Sequence, residues 1–241
     1  MFMRATLLLL AALSAAPAWA QQWVKVTDRD GIQVFRAHDD NSRIKTFRGK
    51  TLMAVDDFNA IGVLMDDYQA VAGFLHMVSE VQDIHRYSPY KRDVYVTTKL
   101  PWPVHDRDAP LRVRLYQEPD SLALMMPFTL NPGAKPERQG YVRIVQMQGY
   151  FRFQPVKPGE VAVTLEVVLD PGGALPAWLA NIILRDIPYF SLKRLRRVIN
   201  LPRYQGIDLG YYKTPPGWAQ PGEQTAAASA SPASPAPSGP R

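Results

Sequence analysis

Apolar and polar positions alternate along much of the chain, which is the pattern of strands with one buried face. The alternation is clearest over 161–169, where every odd position is Val or Leu and the even positions include Thr164 and Glu166. Short turn signals such as Asp30-Gly31 separate the apolar segments, and strands joined by short turns form an antiparallel sheet. The pattern predicts strands at residues 32–37, 44–55, 90–100, 109–117, 121–128, 141–153 and 161–169.

Two segments follow a helical period instead. The first carries apolar residues at helical spacing over 58–65, and either Asp56 or Asp57 can cap it. The second spans 176–200 and begins with Pro, which suits the first turn of a helix. A curved antiparallel sheet with one long C-terminal helix is an α+β architecture. We expect this helix to bury one face on the concave side of the sheet.

Strand parity shows which side chains face that helix. Over 107–115 the odd positions are apolar except for Arg107, while Asp108 lies on the opposite face. An unpaired guanidinium on an apolar face costs several kcal/mol, so Arg107 needs a partner there. Two interpretations stay open. Arg107 either makes an ion pair or backbone contacts that hold the start of its strand, or it receives a polar group of a ligand.

The first 20 residues have the features of an export signal. A basic residue precedes an apolar run of 12 residues, and Ala18-Trp19-Ala20 is a small-residue cleavage site. The apolar run is too short to span a bilayer, which needs about 20 residues. We therefore expect cleavage after Ala20 and a location in the periplasm or outside the cell.

Composition excludes several classes of function. The absence of Cys removes disulfides, thiolate metal sites and a Cys nucleophile. The net charge is +6, but the basic residues are dispersed and no nucleic-acid-binding motif accompanies them, so we expect no nucleic-acid partner. Residues 214–241 are rich in Pro, Ala and Ser and are expected to form a disordered tail. That leaves 21–213 as one domain.

Four blocks of the sequence carry a resemblance to a known family. They are 46–49 (Thr-Phe-Arg-Gly), 100–108 (Leu-Pro-Trp-Pro-Val-His-Asp-Arg-Asp), 140–144 (Gly-Tyr-Val-Arg-Ile) and 170–179, which holds Asp-Pro-Gly-Gly and Leu-Pro-Ala-Trp-Leu. With these blocks the chain resembles the START (StAR-related lipid transfer) family, in its exported bacterial branch. The resemblance extends from about Trp23 to Arg197.

The resemblance implies a helix-grip fold, in which the sheet wraps around the long C-terminal helix and encloses a tunnel for one lipid or other apolar molecule. It also implies binding rather than chemistry, since the family fixes no catalytic set. Arg107 is the one polar contact that we expect for the ligand. The apolar faces of the strands predict that the tunnel is lined by Val96, Thr98, Leu111, Val113, Met147, Phe151, Val163 and Leu165.

No catalytic arrangement emerges from the sequence. The four His residues lack the spacing of metal ligands, and there is no Gly-x-Ser-x-Gly motif or Gly-rich phosphate loop. The string His-Asp-Arg-Asp at 105–108 is interpreted as a turn with local ion pairs.

We expect a lipid carrier or sensor without cofactor, metal or catalytic residue. One alternative is an enzyme of the same fold, of cyclase, hydratase or hydrolase type. Another is a partner-binding module tethered by the tail.

The long helix raises a conflict between two apolar stripes. At 100° per residue, Leu184 and Leu195 share one stripe with Pro188, whereas Trp178 and Ile182 fall on the opposite side. Either Pro188 kinks or breaks the helix and rotates its halves into phase, or the second side stays partly exposed and docks transiently onto an anionic membrane. The residues predicted for docking are Trp178, Ile182, Lys193, Arg196 and Arg197.

Overall fold

One eleven-stranded sheet runs through the part of the chain that the structure, a computed structural model, describes: residues 22–37 and 44–220. The strands are β1 (Trp23–Arg29), β2 (Ile32–Ala37), β3 (Lys45–Ala54), β4 (Val78–Ser88), β5 (Lys91–Thr98), β6 (Arg107–Arg114), β7 (Tyr116–Gln117), β8 (Leu124–Leu130), β9 (Val142–Arg143), β10 (Gln146–Lys157) and β11 (Glu160–Asp170). Their order is β1-β2-β3-β11-β10-β8-β6-β5-β4, with β7 beside β8 and β9 beside β6. All pairings are antiparallel except that of β9 with β6.

Three α-helices accompany the sheet in the described residues: α1 (Asn59–Asp66), α2 (Tyr68–Phe74) and α3 (Ala177–Val198). The carboxylate of Asp57 accepts a hydrogen bond from the backbone N–H of Asn59 at 2.8 Å, so it closes the first turn of α1. The carboxylate of Asp67 does the same for α2, from the N–H of Ala70 at 3.1 Å. The curved antiparallel sheet and the long C-terminal helix confirm the predicted α+β architecture.

Helix α3 packs against the sheet at a close approach of the two backbones. A Cβ on Gly49 of β3 would come within 2.7 Å of the Leu192 side chain and 3.2 Å of Pro188. Leu192 and Pro188 are both buried. The absent side chain of Gly49 therefore lets the helix settle into the concave face of the sheet.

The buried side of α3 changes at Pro188, although the helix is not broken there. Before this residue Leu179 and Ile183 are buried, and after it Leu192 and Leu195 are buried, on nearly the opposite side of the helical wheel. The two halves thus bury different stripes, as the two apolar sets require. The alternative of a break at Pro188 is wrong, since α3 is continuous over its 22 residues.

The pattern of the sequence does not predict β1, β4 or α2. Strand β4 could not be predicted from an alternating pattern, because three irregularities interrupt its pairing with β5. Its apolar residues Val78, Val81 and Ile84 consequently recur at every third position instead of every second. Helix α2 is only seven residues long, too short for a clear helical period.

The expected end of the domain at residue 213 is too early. Trp218 is 6% exposed, and its ring lies 5.4 Å from that of Phe58 in an edge-to-face contact. The Asn59 side chain also donates to the Thr214 hydroxyl at 2.9 Å. Residues 214–220 therefore belong to the folded domain, because burying an indole is more favourable than leaving it in water. The predicted signal, 1–20, and the rest of the predicted tail, 221–241, lie outside the described residues.

Candidate ligand-binding cavity

An apolar cavity of about 170 Å³ lies between the concave face of the sheet and α3. Strands β5, β6, β10 and β11 contribute inward-facing residues to its wall, and α3 closes it with Ile183, Ile187 and Ser191. No Asp or Glu of the described chain is part of this wall. The space is much larger than one water requires and its surface is almost entirely apolar, which favours an apolar occupant.

Seven of the eight residues predicted to line the tunnel do so: Val96, Thr98, Leu111, Val113, Met147, Phe151 and Leu165. Val163 is 1% exposed but is not part of the cavity wall. It lies opposite Thr51 of β3, where Arg196 of α3 donates to the Thr51 hydroxyl at 2.6 Å. The C-terminal half of α3 therefore covers this end of the sheet and leaves no space above Val163.

Arg107 is 3% exposed and lines one end of the cavity, as parity predicted. Its guanidinium donates to three backbone carbonyls: those of Pro171 at 3.3 Å, Gly172 at 3.1 Å and His105. Burial lowers the pKa of Arg107, with Asp106 acting in the opposite direction. The backbone contacts proposed for Arg107 are thus present. They use three of the five guanidinium N–H groups, so the side chain keeps donor capacity for a ligand.

Two glycines shape the loop whose backbone carbonyls accept hydrogen bonds from Arg107. Gly172 and Gly173 have φ values of +67° and +63°, in the left-handed region that residues with a Cβ rarely occupy. The Asp170 carboxylate accepts from the Gly172 N–H at 2.9 Å and fixes the turn. The Asp-Pro-Gly-Gly block therefore presents its carbonyls to Arg107 immediately before α3 begins.

A second guanidinium, which was not predicted from the sequence, borders the opposite end of the cavity. Arg92 of β5 is 5% exposed, lines the cavity and forms an ion pair with Asp66. Its guanidinium also lies 5.0 Å from the ring centre of Tyr68, another lining residue. A signal was present in the sequence. The even positions of 94–100 point inward, and one further step of the same parity reaches residue 92.

Two polar atoms near the cavity have no hydrogen-bond partner within the described ranges. They are the hydroxyl of Tyr68 and Nδ1 of His76, both buried and both on residues that line the cavity. Burial, together with the nearby Arg194, lowers the pKa of His76. The imidazole is therefore neutral at pH 7. Such unsatisfied groups are costly in isolation, and a polar atom of a ligand would satisfy them.

The string at 105–108 does not form a catalytic group. Asp106 accepts from the backbone N–H of Leu100 at 2.9 Å, which holds the loop between β5 and β6. Asp108 points to the outer face, where Arg143 donates to both of its carboxylate oxygens at 2.9 Å. Among the residues that the structure describes, no three His, Cys, Asp or Glu residues are grouped as metal ligands.

The predicted docking residues of α3 have different environments. Trp178 is 43% exposed and Ile182 is half-buried. Lys193 donates to the carboxylate of Asp30 at 2.7 Å, and Arg196 donates to the backbone carbonyl of Asp30 at 2.8 Å. Arg197 is exposed. The prediction that Lys193 and Arg196 form a free basic face for docking is therefore wrong, because both side chains bind the β1–β2 turn. None of the described helices has the length and apolarity needed to cross a membrane.

Comparison with known proteins places these features in a family. The chain is 30% identical to an uncharacterized protein of Pseudomonas aeruginosa over 197 residues, which are 80% of this chain and 95% of that protein. The crystal structure of a STAR-related lipid transfer protein from Xanthomonas axonopodis is 25% identical. It matches with a TM-score of 0.66 over 74% of this chain and 99% of that one.

The chain belongs to the START family. Human STARD10 shares the fold, with a TM-score of 0.63 over 73% of this chain and 72% of that chain at 18% identity. No family model matches the sequence. The helix-grip fold expected from the resemblance is confirmed, and the cavity lies where the sheet wraps around α3.

Proposed function

We propose that this START protein holds one lipid or other apolar molecule in the cavity and acts as a carrier or sensor without covalent chemistry. The apolar space enclosed between the sheet and α3 is the observation that carries the proposal. Each methylene buried there would contribute about 0.8 kcal/mol, so a hydrocarbon chain needs few polar contacts to bind well. The similarity to a STAR-related lipid transfer protein supports the same class of ligand.

The cavity can enlarge around a ligand. Its present volume of about 170 Å³ is close to that of an apolar cavity that accommodates benzene. Four methionines are part of its wall: Met65, Met77, Met126 and Met147. Methionine is unbranched and has three rotatable bonds, so changes of rotamer at these positions would open room for a longer chain.

Polar groups at the two ends of the cavity would orient the ligand. The remaining donors of Arg107 suit a hydroxyl, carbonyl or anionic group at one end. At the other end lie Arg92 and the unpartnered hydroxyl of Tyr68. A small number of fixed polar groups in an apolar site is the usual arrangement for selecting a ligand.

We also propose that the protein acts after export and exchanges its ligand at a membrane. The signal-like sequence of 1–20 supports export. Trp102, which is 91% exposed, and Trp178 lie on the two segments that meet at Arg107. Indole rings favour the membrane interface, so these two residues would dock that end of the cavity onto lipid.

Mass spectrometry of an organic extract from the purified, folded protein tests the proposal. We expect one class of lipid or apolar molecule at close to one mole per mole of protein. The same extraction of an unrelated exported protein prepared in parallel controls for lipid carried through purification. A protein that yields no more lipid than this control, and takes up none from added vesicles, would contradict the proposal.

A further inference from the structure

A second, outward-facing cleft lies behind the Arg92 end of the cavity. It has a volume of about 550 Å³ and is formed by the start of β5, the β6–β7 segment and residues 211–213. Tyr90, Arg114 and Leu115 line both this cleft and the cavity. These three residues therefore form a boundary that the two spaces share.

Three cations face the cleft without a carboxylate partner in the described part of the chain: Lys91, Arg114 and Lys213. Lys91 and Arg114 are directly opposite each other on β5 and β6. Like charges in that position of an antiparallel pair repel each other. The carboxylate of Asp93, two residues after Lys91, is bound by Arg112 at 2.9 Å. That of Glu118, four residues after Arg114, is bound by Arg152 at 3.0 Å and by Ser121. The cleft therefore carries a positive charge that its own residues do not neutralise.

Four tyrosines are also part of the cleft wall: Tyr90, Tyr116, Tyr211 and Tyr212. Tyr90 and Tyr211 make an edge-to-face contact at 5.0 Å, and Tyr116 is 47% exposed. The ring of Tyr87 lies 5.0 Å from the Lys91 ammonium and helps to hold it in place. Tyrosine combines an apolar ring with a hydroxyl, so this wall suits the polar end of an amphiphile.

We propose that this cationic cleft binds the phosphate or carboxylate head group of an amphiphile whose hydrocarbon chain lies in the cavity. The proposal rests on the proposed function and names its ligand class. An anion between Lys91 and Arg114 would relieve their repulsion and form charge-assisted hydrogen bonds with both. The shared wall of Tyr90, Arg114 and Leu115 favours a head group over a separate soluble anion, because it places the charge next to the hydrocarbon site.

The length of β6, which lines the cavity, agrees with this placement. Strand β6 runs from Arg107 at one end to Arg114 at the other, seven residue steps apart. At about 3.3 Å per residue these ends are roughly 23 Å apart. A long-chain amphiphile extended along β6 would therefore reach from its anionic head at the cleft to the remaining donors of Arg107.

Competition against a fluorescent apolar probe tests the proposal on the full chain. Dodecyl phosphate and dodecanol, which share one hydrocarbon chain, would each displace the probe from wild type and from a Lys91→Gln/Lys213→Gln variant, whose two positions line the cleft but not the cavity. A Lys50→Gln/Lys157→Gln variant removes two cations elsewhere on the sheet and serves as the matched control. We expect wild type and the control to prefer dodecyl phosphate by about tenfold or more, the effect of about 1.4 kcal/mol. The cleft variant should lose this preference and keep its affinity for dodecanol.

The outcomes separate this proposal from the proposed function. If neither compound displaces the probe and neither binds directly, the apolar ligand itself is refuted. If both bind but the cleft variant keeps the preference for phosphate, the cleft assignment is overturned and lipid binding stands. Inorganic phosphate is the third probe. If it binds the wild-type cleft as tightly as dodecyl phosphate does, the cleft serves a soluble anion and the assignment to a head group is wrong.

Discussion

A single guanidinium, that of Arg107, ties the inner face of β6 to the segment that leads into α3. Parity placed this residue on the apolar face, but the sequence could not identify its partners. Its partners include the backbone carbonyls of Pro171 and Gly172, more than 60 positions away. Contacts to backbone carbonyls cannot be predicted from the pattern of side chains. The partners of Asp30 could not be predicted either. Hydrogen bonds from Lys193 and Tyr189, which lower the pKa of its carboxyl to about 2, come from residues 163 and 159 positions away.

Replacing Arg107 tests both of its roles. Arg107→Leu would leave two buried carbonyls and one partly buried carbonyl without their donor, so we expect the free energy of unfolding to fall by about 3 kcal/mol. We also expect lipid binding to weaken or change in selectivity. Arg143→Leu is the matched control, because it breaks a buried contact on the outer face of the sheet away from the cavity wall. Denaturant unfolding and probe binding measure the two effects. Equal ligand affinity in Arg107→Leu and wild type would leave Arg107 a purely structural role.

The outer face of β6 carries a stabilising contact that depends on pH. Burial alone would raise the pKa of Asp108, but hydrogen bonds from Arg143 and from Tyr95, at 2.8 Å, outweigh it and lower the pKa below 3.8. The unfolded chain therefore takes up this proton first as the pH falls, and the stability from Asp108 is lost from about pH 4 downward.

Unfolding curves of wild type and Asp108→Asn measured between pH 7 and pH 2 test this contribution. We expect wild type to be more stable by about 2 kcal/mol or more at pH 7, since the variant leaves Arg143 buried against a neutral amide. The difference should shrink as the pH falls through the lowered pKa. A difference that is constant over this range would show that the charge of Asp108 does not stabilise the fold.

Among the elements, those with a regular period could be predicted and those with an interrupted period could not. In β11 every second residue is buried, as the sequence indicates. In β4 the irregular pairing moves the apolar residues to every third position, which no two-residue template detects. The folded position of Trp218 was missed because the composition of 214–241 conceals one aromatic residue that packs on Phe58.

The packing of α3 on β3 is tested by two glycine substitutions. Gly49→Ala would place a Cβ 2.7 Å from Leu192, and we expect it to destabilise the fold by about 1–3 kcal/mol. Gly73→Ala is the matched control. Gly73 lies in α2 with nothing within 4 Å of an added Cβ, so the change should stabilise by about 0.5–1 kcal/mol. Thermal unfolding of both variants measures the contrast. Equal effects of the two substitutions would contradict the close approach of α3 to Gly49.

For the whole molecule, the sequence predicted the architecture and most of the cavity wall, but not the size of the cavity. The wall follows from strand parity, which is a local property. The volume depends on how far α3 stands from the sheet, and that is set by contacts such as those of Gly49. The cationic cleft also could not be predicted from the sequence, since its residues come from three separate segments.

If the Arg107 end of the cavity docks onto a membrane, binding to vesicles should depend on Trp178 and only weakly on the salt concentration. Trp178→Ala should weaken sedimentation with anionic vesicles several-fold, because it removes an indole from the docking surface. High salt should have a smaller effect, since Lys193 and Arg196 bind the β1–β2 turn. Tyr116→Ala removes an exposed ring from the distant cleft and controls for lost surface area. Full binding by Trp178→Ala, together with complete loss at high salt, would argue for an electrostatic surface instead.

Native mass spectrometry of a cavity-filled variant tests the central claim, that one ligand occupies this cavity. Ala109 is 1% exposed, lines the cavity and pairs with Val96, so Ala109→Phe would fill the space. Val145→Phe introduces the same side chain at a position that is 63% exposed and is the matched control. Ala109→Leu, a smaller change, replaces Ala109→Phe if the latter does not fold.

After incubation with vesicles, wild type and Val145→Phe should each carry one lipid per chain, and the folded Ala109 variant should carry little or none. An Ala109 variant that is folded and carries as much lipid as wild type would contradict the account, as would a wild-type chain that carries none.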